Sequence, residues 1–586
     1  LPAILIAVGD RALSDMLDER DGEGEYAMQR SGTAAPGAVD MTGGEAIVRA
    51  LIANAVDAVF GLPGAQMYPL LDALRQNADV IRTYGARHEQ TCGYMAFGYA
   101  RSTGRPGVFS VVPGPGVLNT TAALCTAMGC NAPVLCITGQ VPSAFVGKGR
   151  GHLHELSDQL GALRPLVKWT ARIEKPSDAP AVIDEAFRRM LSGRPGPVVV
   201  EMCWDKLAAR EAVLPLPAAE IPAPAPPQPN EIEAAARLIA GARRRMIMTG
   251  SGAQHASAEI LALAEHLGAP VAAFRGGRGV VPEDHDLGIS SYTAFRLWPR
   301  TDLLIGIGSR LEMPYMRWTG MMTLIDRPEA PPHLVRIDID PEEMLRLVPH
   351  APVVADAAEG AKALLAAVKA LGAGPADATH RSLIREAKQA ARRAIEKVQP
   401  QLAYLDVVRR VLPRDGIVSG ELSQVGFASY FGYPVLQPRT YISEGFQGTL
   451  GYGFPTALGV KAAHPGRPVV CITGDGGFMF AAQELATAAQ ENIPLVTLLF
   501  NNHSYGNVLR DQRTGYGNRI IGARLANPDF QAFAAAFGVE SHRVSTPEAL
   551  EPVLRAALAR GRPVLIEVQI AEGSETSPWE FIHPKR

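Results

Sequence analysis

A chain of 586 residues is too long for a single hydrophobic core, and its length points to about three compact units. Lys and Arg number 57 against 59 Asp and Glu, a net charge of −2 with no long block of one sign, which speaks against nucleic acid or an anionic membrane as a partner. The longest apolar runs, such as Ile493 to Phe500, fall short of the ~20 residues that cross a bilayer, so a soluble protein is expected, and the cysteine usage below fits a cytoplasmic one.

The opening LPAILIAV lacks a basic flank and runs into an acidic, glycine-rich stretch, so residues 1–39 read as an extension outside the core fold and not as a secretory signal. The six cysteines, Cys92, Cys125, Cys130, Cys136, Cys203 and Cys471, form no CxxC pair and sit mostly among apolar residues, which fits reduced thiols better than disulfides or zinc. From residue 40 onward, short apolar β-branched runs alternate with amphipathic helical stretches. In block 40–210 the predicted strands are GVFSVV, PVLCITG and PVVVEM. A proline-rich linker over 211–230 follows, because LPLPAAEIPAPAPPQPN can sustain neither helix nor sheet. Block 231–372 carries MIMTGSG, DLLIGIG and LVRIDID, and LGAGPADATH then opens a linker helix region over 373–400. Block 401–571 carries PVVCITG, PLVTLLF and PVLIEV, and 572–586 form a tail. Continuous apolar strands separated by helices predict parallel sheets covered on both faces, hence an α/β chain of three doubly wound domains.

The most informative stretch is GDGGFMFAAQELATAAQENIPLVTLLFNN, Gly474 to Asn502. Asp475 follows a predicted strand, and open α/β sheets bind their ligands at the carboxyl ends of strands. The glycines permit close backbone approach to a phosphate, and a helix expected to begin near Gln483 would add partial positive charge. The next strand ends on Asn501 and Asn502, so Asp475 and Asn502 are expected at one edge of the sheet. One carboxylate and one amide oxygen suit Mg²⁺, which accepts few protein ligands and completes its shell with phosphate oxygens and water. Taken singly, an Asp at a strand end also reads as a helix cap, and an Asn pair as a turn.

GDG, 24 intervening residues (477 to 500) and NN resemble the motif of the thiamine-diphosphate-dependent enzymes. The resemblance runs over about residues 40 to 570, in the order pyrimidine-binding, middle and diphosphate-binding domain, and is most like the acetolactate synthase and 2-oxo acid decarboxylase branch. It implies thiamine diphosphate with Mg²⁺ held by the side chains of Asp475 and Asn502 and the backbone carbonyl of Ser504. Gly474, Gly476 and Gly477, together with Tyr505, Gly506, Asn507 and Val508, would line the diphosphate, and Gln424 and Gly448 would contact the cofactor from earlier in that domain. The segment RHEQTCGYMAFGYARSTGRPGVFSVVPGPGVLNTTAAL, Arg87 to Leu124, resembles the part of the family that holds the aminopyrimidine ring. Glu89 stands where the family's glutamate hydrogen-bonds that ring, and the shared proton favours the tautomer whose nitrogen activates the thiazolium carbon. Pro63, Gly64, Gly114 and Asn119 are the further contacts implied on that side. In EGFQGTLGYGFPTALG, Glu444 to Gly459, Leu450 falls at the apolar wedge that bends the cofactor, a contribution of position and orientation.

Substrate-pocket candidates from the same resemblance are Gln66, Gln140 and His154. Acetolactate synthases carry Met and Trp where this chain has Asn507 and Asp511, which makes the expected pocket more polar. FRGGRG, Phe274 to Gly279, departs from the segment through which acetolactate synthases bind FAD, and GSG at Gly250 to Gly252 lacks the third glycine of a dinucleotide site, so FAD is doubtful on these residues. The implied reaction is decarboxylation of a 2-oxo acid with transfer of the acyl carbanion to a second carbonyl compound. Alternatives are a non-ligating decarboxylase, a lyase of 2-hydroxy ketones or 2-hydroxyacyl-CoA, or a non-catalytic thiamine-fold assembly partner. The branch also implies a homodimer or homotetramer with active sites shared between subunits.

Overall fold

The computed structural model describes residues 37–320, 323–375 and 378–584; the expected N-terminal extension lies almost wholly outside the described residues. All nine apolar runs named above contain strands, and the reason is their double-sided burial: β-branched side chains point alternately to two faces, both covered by helices. The strands are β1 Val39–Thr42, β2 Ala58–Gly61, β3 Arg82–Gly85, β4 Gly107–Val111, β5 Val134–Gln140, β6 Trp169–Ile173, β7 Val198–Cys203 and β8 Arg210–Val213 in the first block. The second block holds β9 Arg245–Thr249, β10 Val271–Ala273, β11 Gly288–Ile289, β12 Leu303–Ile307, β13 His333–Asp338 and β14 Ala351–Val354. The third holds β15 Ile417–Gly420, β16 Tyr441–Ile442, β17 Val469–Gly474, β18 Val496–Asn501, β19 Glu540–Val544 and β20 Val564–Gln569.

These form three six-stranded parallel sheets, ordered β3-β2-β4-β5-β7-β6, β11-β10-β9-β12-β13-β14 and β16-β15-β17-β18-β20-β19. In each, the chain first builds outward on one side and then crosses to the other, so the strand order reverses between β2 and β4, between β9 and β12, and between β15 and β17. Such reversals leave a crevice beyond the strand ends, where the loops on either side diverge. An antiparallel pair, β1 with β8, closes the first block, with Val39 opposite Val213.

Glycines set how closely two of the blocks approach. Where the helix Glu89–Thr103 meets the helix Gly453–Ala463, a Cβ on Gly98 would lie 2.2 Å from the Thr456 carbonyl oxygen, and one on Gly459 would lie 2.0 Å from that of Met95. The region expected as linker helices is not free-standing. The helix Ala378–Ile395 buries Ile384, Ala391 and Ile395, and Lys388 Nζ donates to the carbonyl of His285 at 2.8 Å, which docks the helix on the middle block. Arg278 of FRGGRG is buried, donates to the carbonyls of Ser429 and Tyr433 and pairs with Glu283 at 2.9 Å; its role is to join the middle and third blocks. The six cysteines are free, five of them buried. Among the described residues no helix is long and apolar enough to cross a membrane.

Candidate functional site

The crevice between β15 and β17 opens into a cavity of about 210 Å³. Its walls come from the loop after β15 (Leu422, Ser423, Gln424), the turn after β17 (Gly474 to Gly477) and the segment after β18 (Asn502 and Ser504 to Val508), with Leu450 on another side. Three helices begin here. Gln424–Gly432 is capped by the Ser423 hydroxyl, Asp475–Phe478 starts at the aspartate itself, and Gly506–Gly515 starts behind Tyr505 with no side-chain cap. The helix expected near Gln483 therefore plays no part at Asp475; only a 3₁₀ turn, Ala482–Glu484, leads there into Leu485–Gln490. Backbone N–H groups and helix dipoles aimed into one crevice favour an anion such as a diphosphate.

The glycines of the turn are required by contact. A Cβ on Gly477 would lie 2.5 Å from Glu421 Oε1, and one on Gly476 would lie 2.5 Å from the Tyr505 ring. Parallel pairing sets Gly474 beside Phe500, which brings Asp475 and Asn502 to one rim. Asp475 is buried, and that burial raises its pKa against the hydrogen bond from Asn527. Asn502 Oδ1 accepts from the Ser504 N–H at 3.1 Å, an Asx turn that ends the strand. A carboxylate and an amide oxygen beside an anion cradle are a donor set that could hold Mg²⁺ with a diphosphate; among the described residues no group of three or more His, Cys, Asp or Glu gathers to form an all-protein metal cage. Gly448, with φ of +61°, does not line this cavity. Asn507 is held by the Trp579 and Arg510 side chains, while Val508 is half exposed in the wall.

Three side chains around this cavity escaped the sequence reading. Glu421 is fully buried at the end of β15, accepts from Gly451 N–H at 2.5 Å and from the Thr473 hydroxyl, and so ties the segment carrying Leu450 to the turn carrying Asp475. Burial pushes its carboxyl up to about 7. Its signal was available: it ends a strand as Asp475 does. Asn527 and Glu575 reach in from remote loops and had none. Burial also raises Glu575 to about 7.

The second crevice, between β2 and β4, gathers the candidates of the first block. Glu89 begins the helix Glu89–Thr103 behind the His88 cap, and its Oε2 accepts from Asn119 Nδ2 at 3.0 Å. Pro63 and Gly64 follow β2, and a Cβ on Gly64 would lie 2.5 Å from Val112 after β4. Gly114, at φ +61°, packs against the His154 carbonyl, where a Cβ would lie at 2.5 Å. Gln66 and His154 meet at 3.0 Å, both with positive φ, 71° and 67°, a backbone strain that clusters at functional sites. Burial lowers the pKa of His154. Gln140 does not join them. It is buried at the end of β5, bonded to Val141 N–H and facing Glu201, with Gln159 linking Glu201 to Gly114 N–H at 2.8 Å. No residue of the first block lines the 210 Å³ cavity, whose walls begin at Leu422.

The third crevice, between β9 and β12, is a cavity of about 380 Å³ bordered by Gly250 to Gly252, Arg275 and Gly308 to Arg310. The GSG turn is explained by packing: a Cβ on Gly250 would lie 2.1 Å from the Gly308 carbonyl oxygen. Arg275 crosses its wall to the Gly445 carbonyl and lies 3.9 Å from Glu312.

Comparison with known proteins gives the same three-part division. Residues 41–162 match the N-terminal TPP binding domain of thiamine pyrophosphate enzymes, 232–364 the central domain and 422–568 the C-terminal TPP binding domain. The chain is 34% identical to the probable 2-ketoarginine decarboxylase AruI of Pseudomonas aeruginosa, over 91% of this chain and 94% of that one. It is 34% identical to a probable acetolactate synthase large subunit of Methanocaldococcus jannaschii, over 90% and 92%. It is 33% identical to the acetolactate synthase large subunit of Corynebacterium glutamicum, over 92% and 88%. With all three domain models in order and relatives aligned along nearly the whole length, the chain belongs to the thiamine pyrophosphate enzyme family, in its acetolactate synthase and decarboxylase branch.

Proposed function

We propose that the protein is a thiamine-diphosphate- and Mg²⁺-dependent enzyme that decarboxylates a 2-oxo acid and joins the remaining acyl unit to a second carbonyl compound. The observation that carries this reading is the cavity at the β15/β17 reversal, where Asp475, Asn502 and three helix amino ends meet beside Leu450. When bound, thiamine diphosphate supplies a nucleophilic carbon and takes up the electron pair released with CO₂. Asp475, Asn502 and the Ser504 carbonyl would hold the cation, and Leu450, on the cavity wall, would shape the space the cofactor occupies. Glu89, steadied by Asn119, would hold the proton that activates the cofactor, and Gln66 and His154 would face the substrate. Gln140 acts one layer behind, through Glu201 and Gln159.

Because Glu89 and the diphosphate cavity share no lining residue within one chain, the reading assigns each complete site to two subunits of a homodimer or homotetramer. The reading does not call on FAD, which the residues of FRGGRG make doubtful, and the purified protein is expected to show no flavin absorbance. The test is CO₂ release from a panel of 2-oxo acids with thiamine diphosphate and Mg²⁺, with and without aldehyde acceptors, and products identified by mass spectrometry. A coupled hydroxy ketone is expected; no CO₂ from any acid by cofactor-loaded protein would refute the reading. Similarity to a probable 2-ketoarginine decarboxylase supports a second outcome, release of the free aldehyde without ligation.

A further inference from the structure

The two proposed metal ligands are each held by one side chain from a distant part of the sequence. Asn527 Nδ2 donates to Asp475 Oδ2 at 2.7 Å and to Asn501 Oδ1 at 2.9 Å, bridging the ends of β17 and β18. Asn502 Nδ2 donates to Glu575 Oε2 at 2.7 Å, while Asn502 Oδ1 accepts from the N–H and hydroxyl of Ser504 at 3.1 and 3.0 Å. These contacts fix the amide. Turned over, Asn502 would set its NH₂ against the Ser504 N–H, opposing two donors and giving up the acceptor that ends the strand.

Glu575 pairs with no Lys, Arg or His among the described ion pairs, unlike the buried carboxylates Glu201, Glu343 and Glu567, which each meet an arginine. Its bond to Asn502 is thus not incidental to an ion pair. The segment that carries it is anchored just after Glu575: Thr576 N–H donates to the Gln399 carbonyl at 3.0 Å, Gln401 Nε2 donates to the Thr576 carbonyl at 2.7 Å, and Trp579 reaches Asn507. Farther along, His583 meets Arg317 at 3.0 Å.

We propose that Asn527 and Glu575 are positioning residues of the metal site: Asn527 occupies one oxygen of Asp475 and leaves the other for the cation, and Glu575 locks Asn502 with its oxygen turned away from the C-terminal segment. Cation affinity then depends on how that segment is seated. This rests on the reading of Asp475 and Asn502 as Mg²⁺ ligands. Partners of metal ligands that fix their orientation typically govern affinity by about 10- to 100-fold.

The experiment titrates Mg²⁺ into metal-free protein in a fixed excess of thiamine diphosphate, read by calorimetry or intrinsic fluorescence, for wild type, Asn527→Ala, Glu575→Ala and Glu575→Gln. Melting of each metal-free variant is recorded first, and the Asn527 and Glu575 variants carry the prediction independently because they lie on different segments. Expected are Kd increases of about 10- to 100-fold for the two alanine variants, with Glu575→Gln near wild type because its amide oxygen still accepts from Asn502. Unchanged Kd in both alanine variants would overturn the proposal. So would a loss in Glu575→Gln as large as in Glu575→Ala, which would make the carboxylate itself a ligand. An altered substrate KM with unaltered Mg²⁺ affinity would reassign Glu575 to the substrate. If wild type takes up no Mg²⁺ beside thiamine diphosphate, the ligand reading itself fails; normal wild-type uptake with indifferent variants fails only the positioning claim.

Discussion

At the scale of single residues, proton transfer and cofactor retention are expected to fall to different side chains. Glu89→Gln keeps the shape and the Asn119 contact but cannot share a proton, so turnover should fall by about 100- to 10,000-fold while thiamine diphosphate stays bound. Steady-state kinetics beside cofactor content of the purified variant check this, and unchanged turnover would remove Glu89 from the reaction. Asp475→Ala should do the reverse, releasing Mg²⁺ and diphosphate on gel filtration; full retention would contradict its assignment. Asp475 and Asn502 could be placed at one rim from the sequence because each lies at the end of an apolar strand, whereas Glu89 was visible only through the family resemblance. Asn527 and Glu575 were not, since each sits in an irregular loop and gains meaning only from a partner some 50 to 70 positions away.

At the scale of elements, the apolar runs identified the central strands, while β2, β3 and β16 are short and pattern-poor and became visible only through their pairing. The charged ends of elements carry a pH prediction. In the middle block, burial would raise Glu343, but Arg346, Arg336 and Arg310 outweigh it and hold its carboxyl at about 2. An unfolded glutamate titrates near ~4.3, so the native state binds fewer protons between these values. Glu343 therefore contributes its full stability above about pH 5 and loses it as pH falls through about 2. Glu343→Gln leaves buried Arg336 only the more distant Asp338 carboxylate, at 3.9 Å, and should cost up to about 3 kcal/mol at neutral pH. The gap to wild type should narrow as the pH is lowered, as read by denaturant melts; a gap constant with pH would show that the arginines do not hold the carboxylate charged.

At the scale of the whole molecule, one topology is used three times, and each sheet places its crevice where its strand order reverses. The repeating apolar strands announce three such domains but not which crevices would cooperate; that expectation comes from the family resemblance alone. The central claim is that Glu89 of one chain and Asp475 of another serve one cofactor. The measurement that tests it most directly mixes the two inactive variants, Glu89→Gln and Asp475→Ala, under conditions that exchange subunits. A mixed dimer would contain one doubly altered site and one intact site, so a random mixture should recover about a quarter of wild-type activity. Recovery near that level is the predicted result; a mixture that exchanges subunits yet stays inactive would contradict shared sites and place Glu89 and Asp475 in separate roles.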